Sequence, residues 1–220
     1  MRDDLKRMIA VTGRLSGRDM GSAIRQVKKV LQSPGLLPKE VYYNLGGLYA
    51  QQQIAFAGLI KVFGAAVMLV FLLLLALYES FRVALVVLAM PLLAISAVFI
   101  GLWITGAQIN ISSMMGMTMI VGIVTEVSIF YVSEYFDLPQ GLKGQDALIT
   151  AGKNRMRPIA MTTFAFLLAL LPLALSIGQG AAMEQPLAIA IISGLVVQLP
   201  LVLIVLPVLL STFWQKKRIA

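Results

Sequence analysis

The most unusual residue of the chain is Glu126, a carboxylate set inside the apolar stretch MIVGIVTEVSIFYVSEYF at residues 119–136. An ionised side chain at the centre of a membrane helix costs about 3 kcal/mol or more, so intramembrane acids usually face the protein interior or water and mark ion pathways. A carboxyl that alternates between an apolar environment and water can take up a proton on one side and release it on the other. Glu126 is therefore a candidate proton carrier. The competing interpretation is a permanently protonated residue with one interhelical hydrogen bond.

The surroundings of Glu126 follow from helical spacing. Gly122 lies four residues before it and Met119 seven, with Met115 one turn further and Ser133 seven residues after it. These positions share roughly one helix face. A glycine on that face allows another helix to approach closely.

Other polar and soft side chains have simpler interpretations from the residues alone. Thr162 and Thr163 lie about one turn after Pro158, where a hydroxyl can bond to a carbonyl of its own helix. The stretch SSMMGMTMI at residues 112–120 has four methionines, and thioethers suit Cu(I). Methionine also fills irregular helix packing, and these four do not share one face. We predict no metal site.

Composition defines the class of protein and excludes several chemistries. Of the 220 residues, 59% are hydrophobic and 13% are charged, which predicts a membrane protein. The absence of cysteine and histidine excludes thiolate and imidazole metal sites and Cys/His catalysis. An intramembrane protease is disfavoured as well, because there are no paired membrane aspartates. We expect neither an enzyme nor a cofactor.

Five hydrophobic runs are long enough to cross a bilayer. They lie near residues 60–79, 83–104, 111–133, 158–177 and 187–213. Among the segments that follow the first run, Lys and Arg occur in the first short loop (Arg82), in the loop at 134–157 and in the C-terminal tail, whereas the loops at 105–110 and 178–185 have none. The positive-inside rule therefore predicts a cytoplasmic tail at 215–220 and an N-terminal segment outside.

That N-terminal segment, residues 1–57, reads as a different kind of chain. RMIAVTGRL predicts a strand, GRDMGSAIRQVKKVLQ an amphipathic helix and KEVYYNL a second strand, which together form a βαβ unit. Such a unit cannot enclose a core of its own. Ten of the eighteen Lys and Arg lie within residues 1–61, which is unusual for a translocated segment that no earlier span precedes. Both observations predict the C-terminal part of a longer polypeptide.

Several motifs resemble, in order and spacing, the C-terminal portion of resistance-nodulation-division (RND) efflux permeases. They include VTGRLSGRDMGSAI, GGLYAQQQIAF, LYESF, NRMRPIAMTT, LLPLALSIGQG and the glycine-rich third run. The resemblance covers essentially the whole chain. It implies the end of a periplasmic porter subdomain, followed at 58–214 by transmembrane helices eight to twelve of a twelve-helix protomer.

The resemblance also implies a mechanism and roles for individual residues. Members of the family exchange protons for exported substrate through a site between the fourth and tenth helices. On the tenth helix the drug-exporting branch usually has lysine where this chain has Glu126, whereas some metal exporters have an acid. A proton-path role is implied for Thr162, with Arg155 in support at the cytoplasmic mouth. We assign Gly122 and Thr163 to helix packing near that site; the alternative role for Arg155 is a topology anchor.

Two functions remain open from the sequence. The first is the C-terminal part of a proton-driven exporter of drugs, other amphiphiles or metal ions in the bacterial inner membrane. The second is a truncated, non-transporting remnant or assembly module, because the acidic fourth helix and the porter pockets are absent from this chain. The partners implied by the family are the rest of the protomer in a homotrimer, a periplasmic adaptor and an outer-membrane channel. Lipid is the other expected partner; nucleic acid is not.

Overall fold

The computed structural model describes residues 2–3, 6–7, 9, 11–13, 20–33, 38, 43, 48–139 and 144–215. Most of these residues are helical, and five helical stretches are long and apolar enough to cross a membrane, as the hydrophobic runs predict. The helices are α1 (Met20–Leu31), α2 (Leu48–Tyr78), α3 (Phe81–Thr105), α4 (Ile111–Asp137), α5 (Gln145–Ala174), α6 (Ala181–Pro200) and α7 (Leu206–Gln215). A π-helical segment, Leu201–Val205, joins α6 to α7 into one span.

Residues up to Gln53 form a separate compact unit. Its helix α1 confirms the predicted amphipathic helix. The strands described are β1 (Arg2–Asp3) and β2 (Lys6–Arg7), which pair antiparallel as a short hairpin. Of the first predicted strand, residues 7–15, only Arg7 lies in a described strand, whereas the described residues 9 and 11–13 do not. The second predicted strand, residues 39–45, lies outside the described residues except for Tyr43, so the βαβ unit stays a prediction. The predicted basic tail also lies outside them from residue 216 onward.

Helix α6 lies at the centre of the membrane unit and packs against α3, α4 and α5. Small residues make these contacts close. A Cβ added to Gly116 of α4 would lie 2.9 Å from Ala190 Cβ and 3.0 Å from Leu187 O of α6. A Cβ on Gly194 of α6 would lie 2.6 Å from Ile120 Cδ1 of α4. Such close approach is typical of membrane helix interfaces.

Among the residues that the structure describes, helix α2 packs against the bundle near its C-terminal end. Phe71 packs edge-to-face against Phe81 at 5.5 Å between ring centroids, Leu74 is fully buried, and the Tyr78 hydroxyl donates to Ile129 O at 3.3 Å. Most of its remaining surface is exposed. The last turns of α2 therefore attach it to the bundle.

The start of α4 is fixed by local chemistry. The Asn110 side chain accepts from the Ser113 backbone N–H, and the Ser113 hydroxyl accepts from the Asn110 N–H, which forms a reciprocal capping box. Just before it, Gly106 ends α3 with φ 66°, a left-handed conformation that favours glycine. These two features turn the chain from α3 into α4.

The segment from α6 to α7 keeps one side buried at every fourth residue. The buried positions are Ala190, Gly194, Gln198, Val202, Leu206 and Leu210. In a regular α-helix each four-residue step overshoots a full turn by about 40°, so this stripe would wind away from the core. The π-helical segment, with hydrogen bonds that reach one residue further, absorbs part of that drift.

Candidate functional site

Helix α4 has a buried side and an open side. Its buried side includes Ile120, Val121, Val124 and Ser128, which lie against the bundle. The open side is formed by Met115, Met119, Gly122, Glu126 and Phe130, all exposed; we call these five residues the Glu126 face. Met115, Met119, Gly122 and Glu126 share this side, as the helical spacing predicts. Ser133, which was predicted to share it, is half-buried.

Glu126 lies in the middle of this face. Among the residues that the structure describes, none forms a hydrogen bond or ion pair with its carboxylate. A Cβ added to Gly122, one turn away, would meet no described atom within 4 Å. The face is therefore open around its acid, and no helix of the described bundle covers it. The methionines divide between the two sides of α4, because Met117 is buried while Met115 and Met119 are exposed.

The two adjacent threonines of α5, Thr162 and Thr163, have different environments. Thr162 is exposed, and its hydroxyl donates to carbonyls of its own helix, Ile159 O at 3.0 Å and Pro158 O at 3.2 Å. Thr163 is buried and accepts from Gln198 Nε2 of α6 at 3.4 Å. Thr162 thus adopts the self-bonded arrangement, while Thr163 connects α5 to α6.

Arg155 is held against α4 by two contacts. Its Nε lies 2.8 Å from Glu134 Oε2, and its guanidinium carbon lies 5.9 Å from the centroid of the Phe130 ring. The neighbouring Asn154 Nδ2 donates to the other carboxylate oxygen of Glu134 at 2.9 Å. Arg155 is therefore positioned by a residue of the Glu126 face and by a carboxylate one turn beyond it.

The ion pair between Arg155 and Glu134 shows how deep Glu126 and Thr162 lie relative to each other along the two helices. Helices α4 and α5 are consecutive spans that pack on each other, so they run in opposite directions. Glu126 lies eight residues before Glu134, about 12 Å along α4, and Thr162 lies seven residues after Arg155, about 10.5 Å along α5. Both displacements point the same way. The two candidate residues therefore lie at nearly the same depth.

Glu134 and Gln198 are polar residues of this site to which the sequence-based prediction gave no role. Glu134 could have been found from its spacing, because it lies eight residues after Glu126 and so shares its side of the helix. Gln198 is an isolated amide within the last hydrophobic run, and its contact with Thr163 depends on a helix pairing that the spacing of residues does not reveal.

The sequence profile of the AcrB/AcrD/AcrF family matches residues 1–213 of the chain. The chain belongs to this family. Among curated relatives, it is 30% identical over 209 residues to the cobalt-zinc-cadmium resistance protein CzcA of Cupriavidus metallidurans, covering 94% of this chain and 20% of CzcA. It is 29% identical over 169 residues to the toluene efflux pump membrane transporter TtgB of Pseudomonas putida, covering 76% of this chain and 16% of TtgB.

Solved structures agree with this assignment. A crystal structure of a heavy metal efflux pump matches 91% of this chain and 20% of that pump, with a TM-score of 0.79 and 26% sequence identity. This RND permease sequence thus spans about one fifth of the length of the relatives it matches, and it aligns with their C-terminal fifth. The relatives named above are transporters, and the five apolar helices identify a multi-pass membrane protein.

Proposed function

We propose that this chain is the C-terminal part of a proton-driven RND efflux transporter of the bacterial inner membrane, and that Glu126 carries the coupled proton. The observation that supports this role is the open Glu126 face. A charged carboxylate is costly to leave toward lipid, so an exposed acid at this depth favours a partner or a water path from the rest of the permease.

The supporting residues have narrower roles. Thr162 lies at the depth of Glu126, where its hydroxyl can leave its own helix carbonyls to relay a proton. Arg155 lies two turns from Thr162 on α5, near the cytoplasmic end of both helices. Gly122 keeps the turn next to Glu126 free of side-chain atoms, and Thr163 ties α5 to α6.

The organisation of the chain forms part of the same proposal. Residues 1–57 belong to a periplasmic porter subdomain with the βαβ unit, residues 58–214 form the membrane domain, and residues 215–220 form a cytoplasmic tail. The partners are the remainder of the protomer, two further protomers, an adaptor and an outer-membrane channel. The lysine-free and arginine-free loops at 105–110 and 178–185 support this orientation.

The exported substrates are drugs, other amphiphiles or metal ions. Metal export is favoured because the match with the metal-resistance protein CzcA covers 94% of this chain, whereas the match with the toluene pump TtgB covers 76%. The acid at position 126 is consistent with the same branch.

Substitution of Glu126 within the complete permease tests the coupling role. Glu126→Gln should abolish transport with near-normal folding, because the amide keeps the volume and hydrogen bonding but cannot change charge. Glu126→Asp should retain part of the activity with a shifted pH profile. Transport is measured as proton-dependent accumulation of Zn²⁺, Co²⁺ or a dye in inverted membrane vesicles.

The opposite pattern contradicts the proposal. A permanently protonated packing residue predicts that Gln is tolerated and that Asp is harmful because of its shorter reach. Transport by the Gln variant at the wild-type rate and pH profile would assign the coupling role to another residue.

A further inference from the structure

Glu134 of α4 makes a short ionic contact with Arg155 of α5 at the candidate site. Both of its carboxylate oxygens are used by consecutive residues of α5, one by Asn154 at 2.9 Å and the other by Arg155 at 2.8 Å. Two donors on two oxygens fix the orientation of the carboxylate and, through it, the position of the guanidinium.

The Arg155 guanidinium lies next to the ring of Phe130, a residue of the Glu126 face. Glu126, Phe130 and Glu134 follow one another at four-residue steps on α4, so the Phe130 ring lies between the two carboxylates. Arg155 lies over this ring at 5.9 Å and is held there from the Glu134 side. The Phe130 ring, with Phe130 47% exposed, and the paired guanidinium next to it therefore lie between Glu126 and the end of the helix pair.

We infer that Glu134 is a positioning residue of the proton path: it holds Arg155 across Phe130 and so closes the cytoplasmic end of the Glu126 face. This inference rests on the proposed function and orientation. The pair is a partly exposed one, with 33% of the Arg155 side chain and 21% of the Glu134 side chain exposed, so it can separate when the path opens.

The direct test is accessibility of the Glu126 face from the cytoplasm. In the intact permease, freed of other cysteines, Gly122→Cys places a thiol one turn beyond Glu126, where no described atom obstructs it. Inverted membrane vesicles are treated with a membrane-impermeant thiol reagent. Glu134→Ala should raise the labelling rate about two- to fivefold, as expected for loss of a partly exposed pair.

Controls separate the pair from general disruption. Asp137→Ala removes an exposed carboxylate three residues along the same helix and should leave labelling unchanged. Glu134→Gln keeps the size and the Asn154 contact and should raise labelling less than Ala does. The exchange Glu134→Arg with Arg155→Glu should return labelling toward the original rate. Equal labelling in the Glu134→Ala and Asp137→Ala proteins overturns the inference, as does an exchange variant that labels as fast as its two single variants.

A second measurement distinguishes this inference from the proposed role of Glu126. In proteoliposomes without substrate, Glu134→Ala should increase proton leak, and adding Glu126→Gln should remove that increase. If Glu134→Ala raises labelling but the proton leak persists in the double variant, the positioning role of Glu134 is supported and Glu126 is not the proton carrier. If neither labelling nor leak changes, Glu134 has no positioning role.

Discussion

Two glutamines of α6 have contrasting environments. Gln185 Nε2 donates to Ala174 O at 2.9 Å and is half-buried. Gln198 is buried, its Nε2 donates only at 3.4 Å, and its Oε1 has no hydrogen-bond partner among the described residues. Burial of an amide with one long bond and one unpaired oxygen costs free energy rather than providing it.

Gln198→Met should therefore leave the stability of the detergent-solubilised protein unchanged or raise it by about 1 kcal/mol, because the thioether fills the space without a polar group. Gln185→Met is the matched control and should lower stability by about 1 kcal/mol through loss of a good hydrogen bond. Thermal unfolding monitored by circular dichroism compares the two. A clear loss of stability for Gln198→Met would show that the amide has a second partner in the intact protein.

At the scale of elements, the close contact of α4 and α6 depends on residues without side chains. Gly116 faces a backbone carbonyl of α6, and neither that atom nor the Ala190 methyl can rotate away. Gly122, two turns further along α4, faces no described atom. The same helix therefore offers a constrained and an unconstrained glycine.

Gly116→Ala should destabilise the chain by about 1–3 kcal/mol, the usual cost of overpacking a well-filled interface. Gly122→Ala should be neutral or slightly stabilising in the isolated chain, since alanine favours the helix. In the complete permease, however, Gly122→Ala should reduce transport if another helix lies against the Glu126 face. Thermal stability and transport are measured for both variants. Equal stability of the two alanine variants would contradict the described α4–α6 contact.

The orientation of the helices is tested at their connecting loops. Cysteines replacing the exposed residues Gln108 and Gln179 should react with an impermeant reagent added outside intact cells, whereas one replacing Gln145 should not. The chain has no natural cysteine, so each signal reports one site once the complete permease is freed of its other cysteines. Labelling of residue 145 from outside would reverse the topology.

The sequence predicts which membrane helices exist better than it predicts where each helix begins and ends. All five apolar runs form helices, but α5 begins at Gln145 rather than near residue 158. Hydropathy identifies only the apolar part of a helix. In α5 the helix begins earlier, because the polar turns around Lys153 and Arg155 are helical as well. The grouping of Met115, Met119 and Gly122 with Glu126 could be predicted from the period of the helix, whereas Phe130 was not predicted and Ser133 is half-buried. The contacts of Arg155 with Glu134 and of Gln198 with Thr163 join residues 21 and 35 positions apart, so they depend on packing.

At the scale of the molecule, large apolar surfaces remain uncovered. Helix α5 exposes Met161, Phe164 and Leu168, and α2 exposes Met68 and Leu69. Lipid can cover such surfaces, but it cannot cover the carboxylate of Glu126 at low cost. A fifth of the length of a permease therefore forms a bundle of its own and leaves Glu126, the proposed coupling residue, exposed.

Expression of these 220 residues alone should consequently confer no efflux. Proton coupling needs a second group whose charge opposes that of Glu126, and substrate needs a closed pocket. Accumulation of dyes, drugs and metal ions should equal that of cells with an empty vector. Reduced accumulation that a protonophore abolishes would show that the chain is a sufficient transporter.

The π-helical segment gives the last span an unusual sensitivity to chain length. Since each residue turns a helix by about 100°, removal of one residue from Leu201–Val205 would turn α7 by roughly a quarter of a circle or slightly more. Leu206 and Leu210 would leave the core and face lipid, while their neighbours took their places. At this point of the protein, an insertion or deletion changes the direction of side chains far more than it changes the span's length.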